Sequence, residues 1–299
     1  MRVDECVVIN EILPQPRFAS AWDSIITGPA VKERLLHVTL LGLQLRPRLP
    51  FEVTALHGLV LLHGPPGTGK TTLARGVAHE LAGLVEGRKA RLVEINPHGL
   101  MSAEHGQSQQ KVFELLCDHI PLLADDKFPT VVVLDEVESM TVSRSAASLS
   151  ANPADVHRAT DAVLAALDRN AADHPHLVTV ATSNFTEALD EAFISRADAA
   201  IEVPLPGPQA IAAILARTLG DFAAAYPVLG SLAADPRLAE IASLLTGTDG
   251  RRVRKLVTDA MTRRRETVLD PGSLTVSDLE SAARAVAMEP VKEARHAAS

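Results

Sequence analysis

The clearest chemistry in this sequence lies in one run, Gly64-Pro65-Pro66-Gly67-Thr68-Gly69-Lys70-Thr71. Glycines at this spacing, closed by a lysine and a hydroxyl, match the phosphate-binding loop in full. The glycines let successive backbone N–H groups turn inward around a phosphate. A helix starting at the loop's end adds its positive dipole end. Lys70 is expected to reach the β- and γ-phosphates of ATP. The Thr71 hydroxyl is expected to ligate Mg²⁺, and Thr72 follows it among the nucleotide contacts. The bland alternative is a Gly/Pro turn that happens to fit. The setting counts against it, since an apolar run, Gly58–His63, precedes the loop and a helical stretch, Thr71–Leu84, follows.

A second group of residues could complete such a site. Val131-Val132-Val133-Leu134 is fully apolar and ends at Asp135-Glu136. A buried strand delivers acids to the C-terminal edge of a sheet, where ligands gather in open α/β folds. Asp135 would hold Mg²⁺ directly or through water, because this ion takes few protein carboxylates beside phosphate. Glu136 would orient and polarise the attacking water. Two solvated acids after a strand are the alternative. Asn184 closes another apolar stretch, Val180-Ala181-Thr182-Ser183, and is placed to sense the γ-phosphate or the water; an Asn in a turn is the plain reading. Arg196 is a candidate arginine finger, acting from a neighbouring subunit on phosphoryl charge. A surface Arg paired with Asp198 is its alternative. Arg251 opens a basic run, Arg251-Arg252-Val253-Arg254-Lys255, and would sense nucleotide from a lid; a solvated basic helix face is the alternative. His63, His79, His98 and His105 show no ligand pairing and are read as structural or surface residues.

These residues need elements to hold them. Strands are expected at 58–63, 91–96, 131–134 and 177–183. Helices are expected at 22–45, 71–84, 107–119 and 159–168. Strands alternating with helices argue for α/β architecture, a parallel sheet flanked by helices on both faces. The strands lack period-two alternation, as expected when both faces are covered. Residues 1–20 look like a strand and a linker. Pro204, Pro206, Gly207 and Pro208 form a breaker cluster, after which the pattern is helical and rich in Ala and Leu. This places a boundary near residue 205, between a large domain (21–205) and a small all-α lid (206–299).

Composition excludes other classes. Of 299 residues, 46% are hydrophobic, enough for an ordinary core. No apolar run of about 18 residues occurs, which argues against a membrane span. The N-terminus lacks a basic segment before an apolar block, so a cytoplasmic protein is expected. Cys6 and Cys117 have no ligand or disulfide spacing and read as free thiols. The net charge of −8 disfavours general binding to nucleic-acid backbones.

Together these motifs resemble the HORMA-remodelling AAA+ ATPases of the pachytene-checkpoint type, the thyroid-hormone-receptor-interactor family. The resemblance rests on several runs. They are Trp22-Asp23-Ser24-Ile25-Ile26 with Val31-Lys32 and Leu35-Leu36, then Val60-Leu61-Leu62-His63 leading into the loop. Next come Glu94-Ile95-Asn96 with His98 and Leu100, and Asp135-Glu136-Val137-Glu138-Ser139. Last are Thr182-Ser183-Asn184, Arg196-Ala197-Asp198, and Gly250-Arg251 with Arg254-Lys255-Leu256. They cover about residues 20–290, and the last five-residue acidic run and the Arg-Ala-Asp are more particular than generic AAA+ signatures.

The resemblance implies an AAA+ domain followed by a helical lid, and an ATP-fuelled homo-hexamer. Such rings pull on the disordered N-terminal tail of a HORMA-domain protein and convert its closed state to the open one. Bacterial relatives look like regulators of antiphage operons that make cyclic-oligonucleotide messengers. Two departures stand out. Animal relatives carry an adaptor-binding domain before the ATPase module, whereas only about twenty residues precede Trp22. That favours a compact bacterial form. The family's first pore loop presents an aromatic residue, whereas here the matching stretch holds Met101, Glu104 and His105. Met101 or His105 would then touch substrate, or another loop grips it. Ser143–Asn152 is polar, unperiodic and expected to be a mobile second pore loop. The rival reading is a nucleic-acid-linked AAA+ loader that uses the basic run on phosphates. A third is a nucleotide-gated scaffold with negligible hydrolysis.

Overall fold

The computed structural model describes residues 6–96, 108–124, 128–141 and 153–288. Its strands in chain order are β1 (Val7–Leu13), β2 (Leu59–His63), β3 (Ala90–Ile95), β4 (Thr130–Leu134), β5 (Leu177–Ser183) and β6 (Ala199–Glu202). They form one sheet in the order β1-β3-β4-β5-β2-β6. The last five in that order run parallel, while β1 is antiparallel to β3, so the sheet is mixed. The purely parallel expectation is corrected at this edge. The N-terminal stretch supplies an integral edge strand, pairing Val7 with Ile95 through to Leu13 with Ala90.

Both faces of the central strands are covered, which accounts for their unbroken apolar sequences. In β4, Val132 and Leu134 face one core cluster, and Val131 and Val133 face the other. The second cluster takes Leu35 and Leu43 of α1 (Pro29–Leu45) with Leu73, Val77 and Leu81 of α2 (Lys70–Leu84). The first takes Val163, Ala166 and Leu167 of α3 (Pro153–Asp173) and Val112, Leu115 and Ile120 of the segment before β4.

Two expected helices differ in detail. The stretch from Trp22 splits into a turn, Ala21–Ser24, and α1, because Pro29 opens α1 and forces Gly28 out of helical geometry, to φ −56° and ψ 137°. The helix from Ser108 passes at Glu114 into a π-helical register that runs to His119, and a further turn, Ile120–Leu123, follows. Pro121 explains part of this. In the wider register its nitrogen would face the Leu116 carbonyl but carries no hydrogen. The Asn170 side-chain amide donates to that carbonyl instead, at 3.0 Å.

The short strand β6 was not expected from sequence. Its four residues, Ala-Ala-Ile-Glu, pair along β2 with Ala199 and Ile201 buried.

The chain divides into two compact units, Met1–Pro204 and Leu205–Ser299. The described part of the second is helical: α4 (Pro208–Ala223), α5 (Leu238–Leu244), α6 (Gly250–Thr262) and α7 (Val276–Met288), with shorter turns between. Its core joins Leu215 and Leu219 to Ile241, Leu256, Val257 and Leu279. Arg264 ties α7 to the segment after α6 through two hydrogen bonds of 2.7 Å to Asp278.

Candidate active site

The phosphate-type loop leaves β2 after four buried residues and turns at Gly64, whose φ is +133°. A Cβ there would lie 2.5 Å from the Val203 carbonyl oxygen. The residue just beyond β6 thus packs against the loop, and only glycine fits. Gly69, at φ +97°, immediately precedes the first helical residue, Lys70. Lys70 is 6% exposed, and its ammonium donates to the carbonyls of Gly64 and Pro65 at 2.8 Å each. The Thr68 hydroxyl donates to the Pro65 carbonyl at 3.0 Å. The loop therefore wraps its own lysine, at the N-terminal end of a fifteen-residue helix. Such an arrangement is suited to an anion.

The two acids arrive at the same edge. Asp135 Oδ1 accepts hydrogen bonds from the Thr71 hydroxyl and the Thr182 hydroxyl, each at 2.6 Å. Glu136 sits in the left-handed region, at φ 51° and ψ 53°. Its N–H donates to the Thr182 hydroxyl oxygen at 3.1 Å. The Asn184 side-chain amide lies 3.5 Å from Glu136 Oε1, and the Asn184 N–H donates to Glu138 Oε1 at 3.1 Å. The register sets this up: β4 and β5 lie adjacent with Leu134 beside Ala181, and β5 pairs Thr182 with Leu62 of β2. The residues following β2, β4 and β5 thus meet at one end of the sheet.

Lys70, Thr71, Asp135, Glu136 and Asn184 are therefore brought together. Thr182 joins them; in the sequence it stands only as one member of the run Thr182-Ser183-Asn184. A threonine one residue before the end of a buried strand was the available signal. A divalent cation fits the donor set: a hydroxyl and a carboxylate, both hard oxygens, lie within hydrogen-bond reach beside a phosphate-type loop. A further acid and an amide stand close enough to hold a water.

Arg196 behaves differently from its plain alternative. It does not pair with Asp198. Its Nε and Nη2 donate to the two Asp168 oxygens at 2.7 and 2.8 Å, and Nη1 donates to the Ala192 carbonyl at 2.9 Å. His57 Nε2 lies 3.4 Å from the same Asp168. The Arg196 hydrogen bonds hold the Asp168 carboxyl below its usual range, against a smaller effect of burial. Asp198 instead accepts the N–H groups of His57 and Gly58 at 2.8 Å, fastening the residues that lead into β2. Burial pushes the Asp198 carboxyl above its usual range, and those two N–H groups work against it.

A bidentate pair links α2 to β3. Arg75 Nε and Nη2 donate to the oxygens of buried Glu94 at 2.5 and 2.6 Å. In the second unit Arg251 is exposed in the first turn of α6, whose N-cap Asp249 accepts the Arg252 N–H at 3.0 Å. Met101, Glu104 and His105, and the stretch Ser143–Asn152, lie outside the described residues. Among the described residues no group of three His, Cys, Asp or Glu side chains forms a metal site. Among them, too, no helix is long and apolar enough to cross a membrane.

A phosphate-type loop and an acid pair at the end of this sheet define a P-loop ATPase of the AAA class. Residues 60–205 match the model of the ATPase family associated with various cellular activities. The chain is 44% identical over 272 residues to CD-NTase-associated protein 6 of Pseudomonas aeruginosa, covering 91% of this chain and 89% of that one. It is 39% identical over 207 residues to a Pachytene checkpoint protein 2 homolog of Danio rerio, covering 67% of this chain but 48% of the relative. Against the solved structure of Caenorhabditis elegans PCH-2 the TM-score is 0.73 at 26% identity, over 96% of this chain and 77% of that one. An Escherichia coli HORMA:CdnC:Trip13 complex holds a chain of the same fold, with TM-score 0.74, 18% identity and coverage of 95% and 96%. The chain belongs to the pachytene-checkpoint family of AAA+ ATPases, in company with CD-NTase-associated protein 6, and it hydrolyses ATP.

Proposed function

We propose that the chain is the subunit of a homo-hexameric ring that spends ATP on opening and disassembling HORMA-domain protein complexes, in the control of bacterial antiphage cyclic-nucleotide signalling. The family membership supports this reading, above all the 44% identity to a relative named for its association with a CD-NTase. The partner is a HORMA-domain protein, engaged by its disordered N-terminal tail, and the setting is the cytoplasm. Met101, Glu104 and His105 are the pore-loop candidates.

The chemistry follows from the chain's own residues. The backbone from Gly64 to Gly69, with Lys70, Thr71 and Thr72, binds the phosphates. Thr71 and Asp135 hold Mg²⁺, which when bound offsets phosphate charge. Glu136 holds and polarises the attacking water, and Asn184 orients it. Arg196 serves the neighbouring subunit's site, and Arg251 serves the nucleotide from the lid. The observation that carries the hydrolytic half is the meeting of Thr71 with Asp135 at 2.6 Å beside Lys70.

The test is steady-state ATP hydrolysis with and without HORMA-domain proteins of the same genome. Stimulation that disappears when the partner's N-terminal tail is removed is expected. Hydrolysis indifferent to every HORMA protein but stimulated by DNA would transfer the chain to the loader class. The exposed basic residues of α6 would then be the contact.

A further inference from the structure

We infer that Thr182 is a positioning residue for ATP hydrolysis, its single hydroxyl fixing the two acids of the site relative to one another. Three observations carry this. Thr182 is 2% exposed, so no water replaces its contacts. Its Oγ1 accepts the Glu136 N–H at 3.1 Å and donates to Asp135 Oδ1 at 2.6 Å. A hydroxyl has one proton to give, so this pairing leaves no choice of direction. Third, Glu136 stands at φ 51°, a left-handed conformation that is uncommon for side-chain-bearing residues and that contacts help to hold.

The hydroxyl is one such contact. It comes from β5, whereas both acids follow β4. Without it Asp135 would keep the Thr71 hydroxyl among these two donors, and the Glu136 N–H would lose the Thr182 oxygen as acceptor. Asp135 would be freer to turn, and Glu136 freer to leave the conformation that sets its carboxylate beside Asn184. The phosphate-type loop makes no use of Thr182, so nucleotide binding should be spared.

This inference rests on Asp135 and Glu136 being the acids of the reaction. Its test compares Thr182→Val, Thr182→Ala and Thr182→Ser with Glu136→Gln run alongside. Thr182→Val keeps the shape and loses the hydroxyl; Thr182→Ala gives the same reading should the second methyl disturb packing. In both, kcat is expected to fall roughly 10- to 100-fold while the Kd for ATP stays within about threefold, the pattern of a lost supporting contact. In the nucleotide-free chain the Glu136 amide should exchange its hydrogen faster. Thr182→Ser should recover most of the rate and the slow exchange. Native turnover in both Thr182→Val and Thr182→Ala would overturn the inference. So would an unchanged Glu136 amide, or a Thr182→Ser variant as slow as Thr182→Val, which would make the methyl rather than the hydroxyl the active feature. Native turnover in Glu136→Gln is a separate failure: it would remove the acids' assignment and this inference with it.

Discussion

Gly64 concentrates the constraints on the phosphate-type loop in one position. Its backbone is in the left-handed half of conformational space, and the space for a Cβ is taken by the Val203 carbonyl. Gly64→Ala should cost roughly 1–3 kcal/mol in strain and displacement. It should lower the melting temperature and weaken ATP binding; native values of both would show that the loop has room. Asp168 offers a second test at this scale. Arg196, first by hydrogen bonding, holds its folded-state pKa below the unfolded value. The pair's contribution is therefore present above the unfolded pKa, about 3.9. It is lost as pH falls through the folded value. The gap in melting temperature between the native chain and Asp168→Asn should be present at pH 7 and close toward pH 3. A gap that persists at the acid end would contradict the pairing. Lys70, Thr71, Asp135 and Glu136 were legible in the sequence because their spacing is local. Thr182 and Asp168 were not, because what they do depends on strands and helices distant in the chain.

Among the elements, α3 depends on a residue outside it. The buried Arg46 guanidinium donates to the Asn170, Ala171 and His174 carbonyls at the C-terminal end of α3, at 3.1, 3.4 and 3.5 Å, and to the Leu177 carbonyl that opens β5. A cation on the negative end of a helix is favourable, and here it adds a second donor to the Asn170 and His174 carbonyls, which already accept the His174 and Leu177 N–H groups at 3.1 and 3.0 Å. Burial lowers the Arg46 pKa, and Asp198 counters it. Arg46→Met should destabilise the chain by about 1–3 kcal/mol, since the buried Ala171 and Leu177 carbonyls would lose a charged donor. Denaturant unfolding would measure this, and a loss below about 0.5 kcal/mol, the level of an ordinary surface change, would refute the capping role. The sequence marked the end of α1 at Arg46-Pro47 but could not show where the side chain goes. It also passed over β6, since four residues with two alanines give no periodic signal, and the pairing with β2 makes the strand. The π-helical turn was invisible for a similar reason, because it needs Asn170 of α3 to satisfy Leu116.

For the whole molecule, the α/β class with a helical C-terminal part was legible from alternating strands and helices and from the proline cluster. The antiparallel edge was not, because β1 owes its direction to pairing with β3. Arg196 belongs to this scale under the proposed ring. Within its own chain it is engaged with Asp168 and the Ala192 carbonyl. Arg196→Ala should therefore leave ATP binding intact and abolish hydrolysis in the assembled ring. Mixing in a Lys70→Ala chain, which keeps Arg196, should restore part of the rate. Full-rate hydrolysis by a proven monomer would rule out action across an interface.

Glu136→Gln tests the central claim most directly, since it changes one acid to its amide beside Asn184 and leaves the phosphate-type loop untouched. ATP binding and steady-state hydrolysis should be measured on the same preparation. The variant is expected to bind ATP within about threefold of the native chain and to hydrolyse it at least roughly 100-fold more slowly, the loss expected of a general base. Hydrolysis at the native rate would contradict the assignment of the acid pair, and with it the site built at this end of the sheet.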